Sequence, residues 1–219
     1  GDTTFNGAID NATGTAALLE LARAFGAAPR RPARSLMFVA FTAEESGLLG
    51  SQYFGENPPV PVGRMAGGIN MDALYVIGRT RDLTVIGYGN SELDELLRAA
   101  AARREMVLVP EPTPEAGYYY RSDHFNLAKQ GVPMLYAKAG VDSPEHGPEH
   151  GRAWQANYIA NLYHKPSDEY DPAWDASGVM QELAIYFEVG LAVADGADWP
   201  QWREGSEFRA VREASRAQR

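Results

Sequence analysis

Segments typical of β-strands alternate with segments typical of helices along most of this 219-residue sequence. The helical apolar pattern of "TGTAALLELARAF" is followed by the β-rich run "RSLMFVAFTA", and the alternation continues toward the carboxyl terminus. Such alternation predicts an α/β sandwich in which helices pack against a largely parallel sheet. In folds of this class the chemistry lies at the carboxyl ends of the strands.

The same patterns predict the limits of individual elements. Helices are expected at residues 13–25, 47–57, 91–105, 123–130 and 176–195. Strands are expected at residues 34–43, 66–78, 83–89, 106–110 and 132–140. Ser91 and Asp94 have the spacing of a capping box at the start of the third helix. Residues 141–161 are expected to form a long polar loop, and 200–219 a peripheral tail of one domain that spans 1–219.

Composition excludes several classes of protein. An apolar fraction of 45% with 11% aromatic residues is typical of a globular chain and not of a disordered one. A net charge of −9 argues against binding to the phosphate backbone of nucleic acids, which requires a basic surface. The sequence has no cysteine, which excludes disulfides and thiolate-bound metals but leaves the compartment open. It also has no apolar run long enough for a membrane span, and the oligomeric state is not predicted.

Acidic residues stand at the ends of predicted elements. Asp10 precedes the first helix, Glu44 and Glu45 close the run "FVAFTA", and Asp72 closes "GGINMD". His164 follows in the loop "YHKPSDEYD". Carboxylates and an imidazole that converge at one edge of a sheet are the ligand set of a hydrolytic Zn²⁺ site.

Each of these residues also has a simpler interpretation. Asp10 is well placed to cap the helix that follows it, and Asp72 to begin a turn. Glu44 and Glu45, taken alone, are better explained as a solvated strand end. His164 alone is weak evidence for a metal. The hypothesis of a metal site depends on all of these residues together.

Five segments in the same order closely resemble the M28 family of zinc aminopeptidases, with similarity spread over roughly residues 5–196. They are "FNGAIDNATGTAALLELARAF", "RSLMFVAFTAEESGLLGSQYF", "INMD", "YYYRSDHFNLAKQGVPMLYAKAG" and "YHKPSDEYD". The resemblance implies a three-layer α/β/α sandwich with a mostly parallel mixed sheet and a pair of zinc ions. It implies that Asp10 bridges both ions, that Glu45 and His164 bind one, that Asp72 binds the other, and that Glu44 is the general base.

The sequence departs from the family pattern at one point. The remaining ligand in the family is a histidine of an H-x-D motif, located a short distance upstream of the bridging aspartate. No histidine precedes Asp10 here. The resemblance therefore predicts that the sequence is truncated at its amino-terminal side and that one zinc ion binds weakly to the residues present.

Other polar residues near these segments receive secondary roles. Asp123 and His124 match an S-D-H segment of the family and are interpreted as groups that support the ligands or face the substrate. Tyr119 is either a phenol that stabilises an oxyanion or an aromatic residue packed at a pocket rim. His146 and His150 are assigned to a solvated loop, because Gly147 and Pro148 stand between them.

The function implied by the resemblance is hydrolysis of N-terminal peptide bonds by a metallo-aminopeptidase. Its substrate is a peptide with a free amino terminus, and a secreted or periplasmic location is expected. Residues 110–121 and 141–161 are expected to shape the pocket for the substrate side chain. The alternatives are a glutaminyl cyclase-like or carboxypeptidase relative, or a non-catalytic member of the family.

Overall fold

A four-stranded mixed sheet lies at the centre of the computed structural model, which describes residues 3–217. Its strands are β1 (Gly68–Asn70), β2 (Asp82–Ile86), β3 (Val107–Pro110) and β4 (Met134–Ala139), in the order β1-β4-β2-β3. β1 and β4 are parallel, as are β2 and β3, whereas β2 and β4 are antiparallel. The predicted mixed sheet is confirmed.

Helices cover both faces of this sheet. They are α1 (Gly14–Gly26), α2 (Leu49–Glu56), α3 (Leu93–Ala102), α4 (His124–Lys129), α5 (Pro148–Asn161), α6 (Ser177–Asp195) and α7 (Arg209–Ala217). α1, α3 and α6 pack on one face, and α2 and α4 on the other. The α/β/α layering is therefore as predicted. None of the helices within residues 3–217 is both long enough and apolar enough to cross a membrane.

Alternation along β4 divides residues 134–137 between two hydrophobic clusters, one on each face of the sheet. In β4, Leu135 and Ala137 belong to the cluster beneath α3 and α6, whereas Met134 and Tyr136 belong to the cluster beneath α4. This two-residue period is the geometry of a strand buried on both faces. It decides which β4 side chains can reach a given side of the molecule.

The expected strand at 34–43 is not part of the sheet. No described strand pairs with this extended segment, and Met37 and Phe38 are exposed by 50% and 37%. The expected strand at 66–78 is likewise reduced to Gly68–Asn70. β-rich composition favours an extended backbone, but a strand also requires a neighbour whose backbone groups are free to pair.

The prediction of a polar loop over 141–161 is wrong in its second half, which forms α5. Pro148 occupies the first turn of this helix, where no backbone N–H is required, and Gly147 precedes it with φ 73°. His150 therefore lies on the helix, and its ring centroid is 4.8 Å from that of His146. The residues that seemed to exclude a helix instead mark its start.

Residues 200–217 pack against the domain and do not form a peripheral tail. Trp202 is buried in the cluster beneath α4, and its indole Nε1 donates a hydrogen bond to the Gly131 carbonyl at 2.9 Å. Phe208 is buried in the same cluster. The many charged residues of this region predict an exposed segment, although its two aromatic residues are buried. Residues 218 and 219 lie outside the described residues, and the single domain over 1–219 stays a prediction.

The cap of α3 also differs from the predicted capping box. The Ser91 hydroxyl accepts from the backbone N–H of Leu93 at 3.3 Å, and Asp94 accepts from the N–H of Gly89 at 2.6 Å. The helix begins at Leu93, with Glu92 as the residue before it. The two side chains of the motif thus stabilise the preceding turn and the first turn of the helix, but not reciprocally.

Leu97→Ala tests the packing of α3 against α6. Leu97 is fully buried, so the substitution should lower the free energy of unfolding by about 2–5 kcal/mol. Leu19→Ala is the matched control, because Leu19 lies in α1 but is 67% exposed, and its cost should stay below about 0.5 kcal/mol. Urea denaturation of both variants measures the difference. Equal effects would show that the assigned core is wrong.

Candidate active site

Asp10 is held in place by a second buried aspartate, Asp168. The Asp168 carboxylate accepts hydrogen bonds from the backbone N–H groups of Ile9 at 2.9 Å and Asp10 at 3.0 Å. Its own backbone carbonyl accepts from Ala8 at 3.1 Å. Because Asp168 follows His164 closely in the chain, these bonds fix the Asp10 loop to the loop that carries the histidine.

Asn11 ties the same loop to the segment that follows β1. Its amide group donates to the Met71 carbonyl at 3.0 Å, and its carbonyl accepts from the N–H groups of Gly14 and Ala73 at 3.0 and 3.1 Å. A Cβ atom at Gly14 would lie 2.2 Å from Asn11 Oδ1, so glycine is required there. Asp72 stands between the two residues that Asn11 contacts, and is thereby brought beside Asp10.

His164 lies between two of the predicted carboxylates. Its Nε2 atom is 3.3 Å from Asp10 Oδ2 and 3.3 Å from Glu45 Oε1. One potential ligand atom from each of the three residues lies within 4.8 Å of the others. The imidazole stacks on the ring of Tyr163, with the centroids 3.8 Å apart, which fixes its orientation. An imidazole nitrogen and two carboxylates brought together in this way suit Zn²⁺.

Glu44 and Glu45 stand on a turn before α2 and not at the end of a paired strand. The Glu44 carbonyl accepts from the N–H groups of Gly47 at 3.0 Å and Leu48 at 2.8 Å. Asn126 of α4 donates to the Leu48 carbonyl at 3.1 Å and holds the turn against the sheet. The Glu45 side chain is 60% exposed, whereas Glu44 is only partly exposed. The turn thus gives the adjacent carboxylates different surroundings.

Asp72 lies two residues beyond β1 and is oriented by a serine. The Ser122 hydroxyl donates to Asp72 Oδ2 at 2.6 Å and accepts from the Asn70 amide at 2.8 Å. Asp72 is not one of the three residues grouped around His164, but it lines the same cavity. Its negative charge raises the pKa of Asp10 and of Glu44, which line the cavity with it.

Several carboxylates share this site, so added positive charge would stabilise it. Burial, together with the charges of Asp72, Glu45 and Asp168, raises the pKa of Asp10 to about 7. Burial also raises the pKa of Glu44 to about 8, with added contributions from Asp72 and Glu45. Protons or a cation must therefore compensate the negative charge at neutral pH. Divalent zinc, with oxygen and nitrogen ligands available, fits this requirement.

Asp123 and His124 are not among the three grouped ligands, although they line a smaller cavity together with Asp10 and Glu45. Tyr119 is buried in the cluster beneath α4, where its ring packs on His124, and it does not line the main cavity. Burial lowers the pKa of His124 to about 3, and neither of its ring nitrogens has a hydrogen-bond partner within the described residues. Asp123 lines a smaller cavity of about 240 Å³ that Glu44 also reaches. Within the run of tyrosines at 118–120, Tyr118 and Tyr120 line the main cavity and Tyr119 does not.

The main cavity has a volume of about 740 Å³ and opens over the carboxylates. Asp10, Glu44, Glu45, Asp72 and His164 line one side of it. The opposite side comes from segments 110–121 and 141–161, which were expected to shape the substrate pocket. A cavity of this size, with polar groups grouped on one wall, is typical of a site for a small molecule or a short peptide.

Sequence reasoning did not assign a role to Asn11, Asp168 or Lys138. Asn11 follows Asp10 directly in "GAIDNATG", and Asp168 lies within the quoted segment "YHKPSDEYD". Their hydrogen bonds join residues that are 60 to 159 positions apart, so no local pattern reveals them. Lys138 lies in a strand that is otherwise apolar. A lysine in such a strand is a sequence signal for a functional residue.

The family model for Peptidase family M28 matches residues 1–188. Leupeptin-inactivating enzyme 1 of Streptomyces exfoliatus is 29% identical over 192 residues, which are 82% of this chain and 41% of that protein. A probable zinc metalloprotease of Pyrenophora tritici-repentis is 42% identical over 66 residues, 30% of this chain and 15% of that protein. The fold resembles that of the Legionella pneumophila LapA aminopeptidase (TM-score 0.63, 18% identity), with coverage of 90% of this chain and 49% of that one. The chain spans less than half the length of these proteins.

Glu44→Gln should stabilise the metal-free protein at alkaline pH. Folding raises the pKa of Glu44 from 4.5 to about 8, so between these values the folded state holds a proton that the unfolded state has lost. The free energy of unfolding of the wild type should therefore fall as the pH rises through this window. Glutamine does not ionise. The free energy of unfolding of the variant should therefore rise relative to that of the wild type over the same pH range.

Urea denaturation at pH 4.5, 6 and 8 in the presence of a chelator measures this difference. Glu204→Gln is the matched control, because Glu204 is exposed and lies outside the main cavity. Its difference from the wild type should not change with pH. A constant difference for Glu44→Gln as well would contradict the assigned environment of Glu44.

Proposed function

The chain belongs to peptidase family M28, and on this premise we propose that it is a zinc-dependent exopeptidase that removes residues from the amino terminus of peptides. The observation that carries the proposal is the convergence of His164, Asp10 and Glu45 on one cavity, beside Glu44. A hydrolase of this kind requires a metal-binding group and a proton acceptor in the same water-accessible site. The names of the relatives support the same assignment.

The proposed ligands divide between two zinc ions. Asp10 is proposed to bridge them, with Glu45 and His164 on one ion and Asp72 on the other. Zinc bound here would polarise the scissile carbonyl and lower the pKa of water. The contacts of Asp168 and Ser122 support the assignment, because they orient Asp10 and Asp72 from behind.

Glu44 is proposed to be the general base. It takes a proton from the attacking water and later delivers it to the leaving amine. Its position supports this role, because it lies beside the ligand residues and is half-buried, which keeps its carboxyl group basic. The difference in exposure between Glu44 and Glu45 supports the assignment of proton transfer to one and metal binding to the other.

The residues beyond the ligands receive supporting roles. Asp123 and His124 line the smaller cavity on the far side of Glu44 and Asp72, and we assign them to the support of this wall. The proposed stabilisation of the oxyanion by Tyr119 stays a prediction, and its buried ring would have to turn toward the cavity to fulfil it. A secreted or periplasmic location stays an expectation from the family resemblance.

Glu44→Gln should lower turnover by orders of magnitude without loss of zinc. Removing a general base lowers turnover by roughly 10²–10⁴-fold, whereas glutamine preserves the size of the side chain. Hydrolysis of leucyl p-nitroanilide and zinc content by atomic absorption are measured on the same protein. Glu56→Gln, in the exposed last turn of α2, is the control and should match the wild type in both. Near-normal turnover of Glu44→Gln would exclude this residue as the base.

Substrate assays separate the proposed aminopeptidase from the alternatives that the sequence left open. An aminopeptidase should cleave aminoacyl nitroanilides and lose this activity with a chelator. A glutaminyl cyclase-like enzyme would instead convert N-terminal glutamine of a peptide to pyroglutamate, and a carboxypeptidase would cleave amino-blocked peptides from the other end. A non-catalytic relative that kept the fold and lost the metals would do none of these and would not bind zinc. Activity on amino-blocked peptides alone would overturn the proposed direction of cleavage.

A further inference from the structure

Lys138 presents an ammonium group to the main cavity from within the central sheet. It lies near the end of β4, on the same strand face as Tyr136, and both line the cavity. The Nζ atom is 4.9 Å from the ring centroid of Tyr75, 5.8 Å from that of Tyr136 and 5.9 Å from that of Tyr118. Rings at these distances attract a cation through their π faces and hold it in place.

The ammonium group has no anionic partner in the described part of the chain. Lys138 forms no ion pair among residues 3–217, although carboxylates line the same cavity. Asp82 uses its two oxygens for the backbone N–H groups of Val141 and Asp142, at 3.2 and 2.8 Å. Glu111 accepts from the N–H of Gly87 at 3.2 Å. Asp82 is therefore committed to the backbone, whereas Glu111 keeps one carboxylate oxygen, Oε2, without a hydrogen-bond partner within residues 3–217.

Lys138 nevertheless keeps its charge. Burial acts to lower its pKa, but Tyr75 and the negative charge of Asp72 outweigh burial, and the pKa is raised. Lys138 is half-buried, and desolvation of an ammonium group without a carboxylate partner is costly. The aromatic rings offset part of this cost and leave the ammonium group free to bind an anion.

The position of Lys138 relative to the carboxylates limits which part of a substrate it can contact. Lys138 and Asp10 line the same cavity, and the charge of Lys138 lowers the pKa of Asp10. The cavity thus has an acidic wall and two basic side chains in its lining, Lys138 and Arg121. A short peptide placed with its first bond at the acidic wall would have its first two residues beside Lys138.

We propose that Lys138 is a specificity-determining residue that binds a carboxylate carried by the first or second residue of the substrate. The proposal rests on the aminopeptidase function proposed above. Two chemical sources supply such a carboxylate: the free carboxyl terminus of a dipeptide, and an aspartate or glutamate side chain at either position. Both would place a negative charge against the ammonium group and the tyrosine rings around it.

A different role for Lys138 would be to balance the negative charge of Asp10 and Asp72. The two roles have different kinetic signatures. Loss of a charge-balancing group would change turnover or zinc binding for every substrate to the same extent. Loss of a recognition group would change the rate only for substrates that carry the carboxylate, and mainly through KM.

Lys138→Met tests the proposal, since methionine preserves the unbranched apolar stem and removes the charge. The substrates are three pairs that differ in one carboxylate: Leu-Ala and Leu-Ala-amide, Leu-Asp-amide and Leu-Asn-amide, and Asp-Ala-amide and Asn-Ala-amide. The wild type should prefer the charged member of at least one pair in kcat/KM by roughly 10-fold or more, as for a partly buried charge pair. The variant should lose this preference, so that its kcat/KM becomes equal for the two members of the pair.

Two further variants make the result specific. Lys138→Arg keeps the charge and should keep the preference. Lys129→Met is the matched control, because the Lys129 ammonium also lies over a ring, 5.0 Å from the Phe125 centroid, but Lys129 does not line the main cavity. No preference of the wild type in any pair would overturn the proposal. So would an equal loss on charged and neutral substrates in Lys138→Met.

Calorimetric binding of the same peptides separates this proposal from the proposed function. If no peptide is hydrolysed, the proposed function fails, but Lys138 is still tested by binding. The wild type should then bind the charged member of one pair more tightly than the neutral one, and Lys138→Met should bind both equally. Equal binding of both members by the wild type would overturn the recognition role independently of catalysis.

Discussion

The concentration of negative charge in one cavity is the constraint on which the rest of the site depends. Asp10, Glu44, Glu45 and Asp72 come from three separate segments, and like charges held close together oppose folding unless protons or cations compensate them. The raised pKa values of Asp10 and Glu44 express this cost. Hydrogen bonds to the backbone and side chains of these residues hold the groups together. A metal-binding site requires such support, whereas a solvated surface does not.

These supporting bonds explain why the site is spread so widely along the sequence. Asp168 holds the backbone of Asp10, Asn11 holds the segment around Asp72, and Ser122 orients the Asp72 carboxylate. Each bond joins one functional loop to another and not to a distant part of the core. The ligand geometry is therefore fixed by short polar links between loops, while the sheet and helices set only where those loops begin.

The parts of this arrangement that follow local patterns could be predicted from the sequence. The apolar periods of α1 and α6 and the strand pattern of β4 specify their own elements, and acidic residues near element ends suggested the site. Residues 34–43 could not be predicted correctly, because pairing depends on a neighbouring strand and not on composition. The start of α5 was missed because Gly147 and Pro148 disfavour the interior of a helix but suit its first turn. Asn11 and Asp168 could not be found, since their partners lie far away in the chain.

Lys138 brings a positive charge into the cavity that the carboxylates line. Period-two alternation in β4 places this residue on the face that carries Tyr136, so the strand that builds the core also delivers a cation to the cavity. A positive charge near Asp10 lowers the repulsion among the carboxylates, but it would also oppose a second bound cation. An anion from the substrate would relieve that opposition by neutralising Lys138 when the cavity is filled. Lys138 would then affect both the binding of a substrate carboxylate and the binding of a second cation. For this reason the rate on substrates that carry a carboxylate, and not the stability of the protein, reports on the role of Lys138.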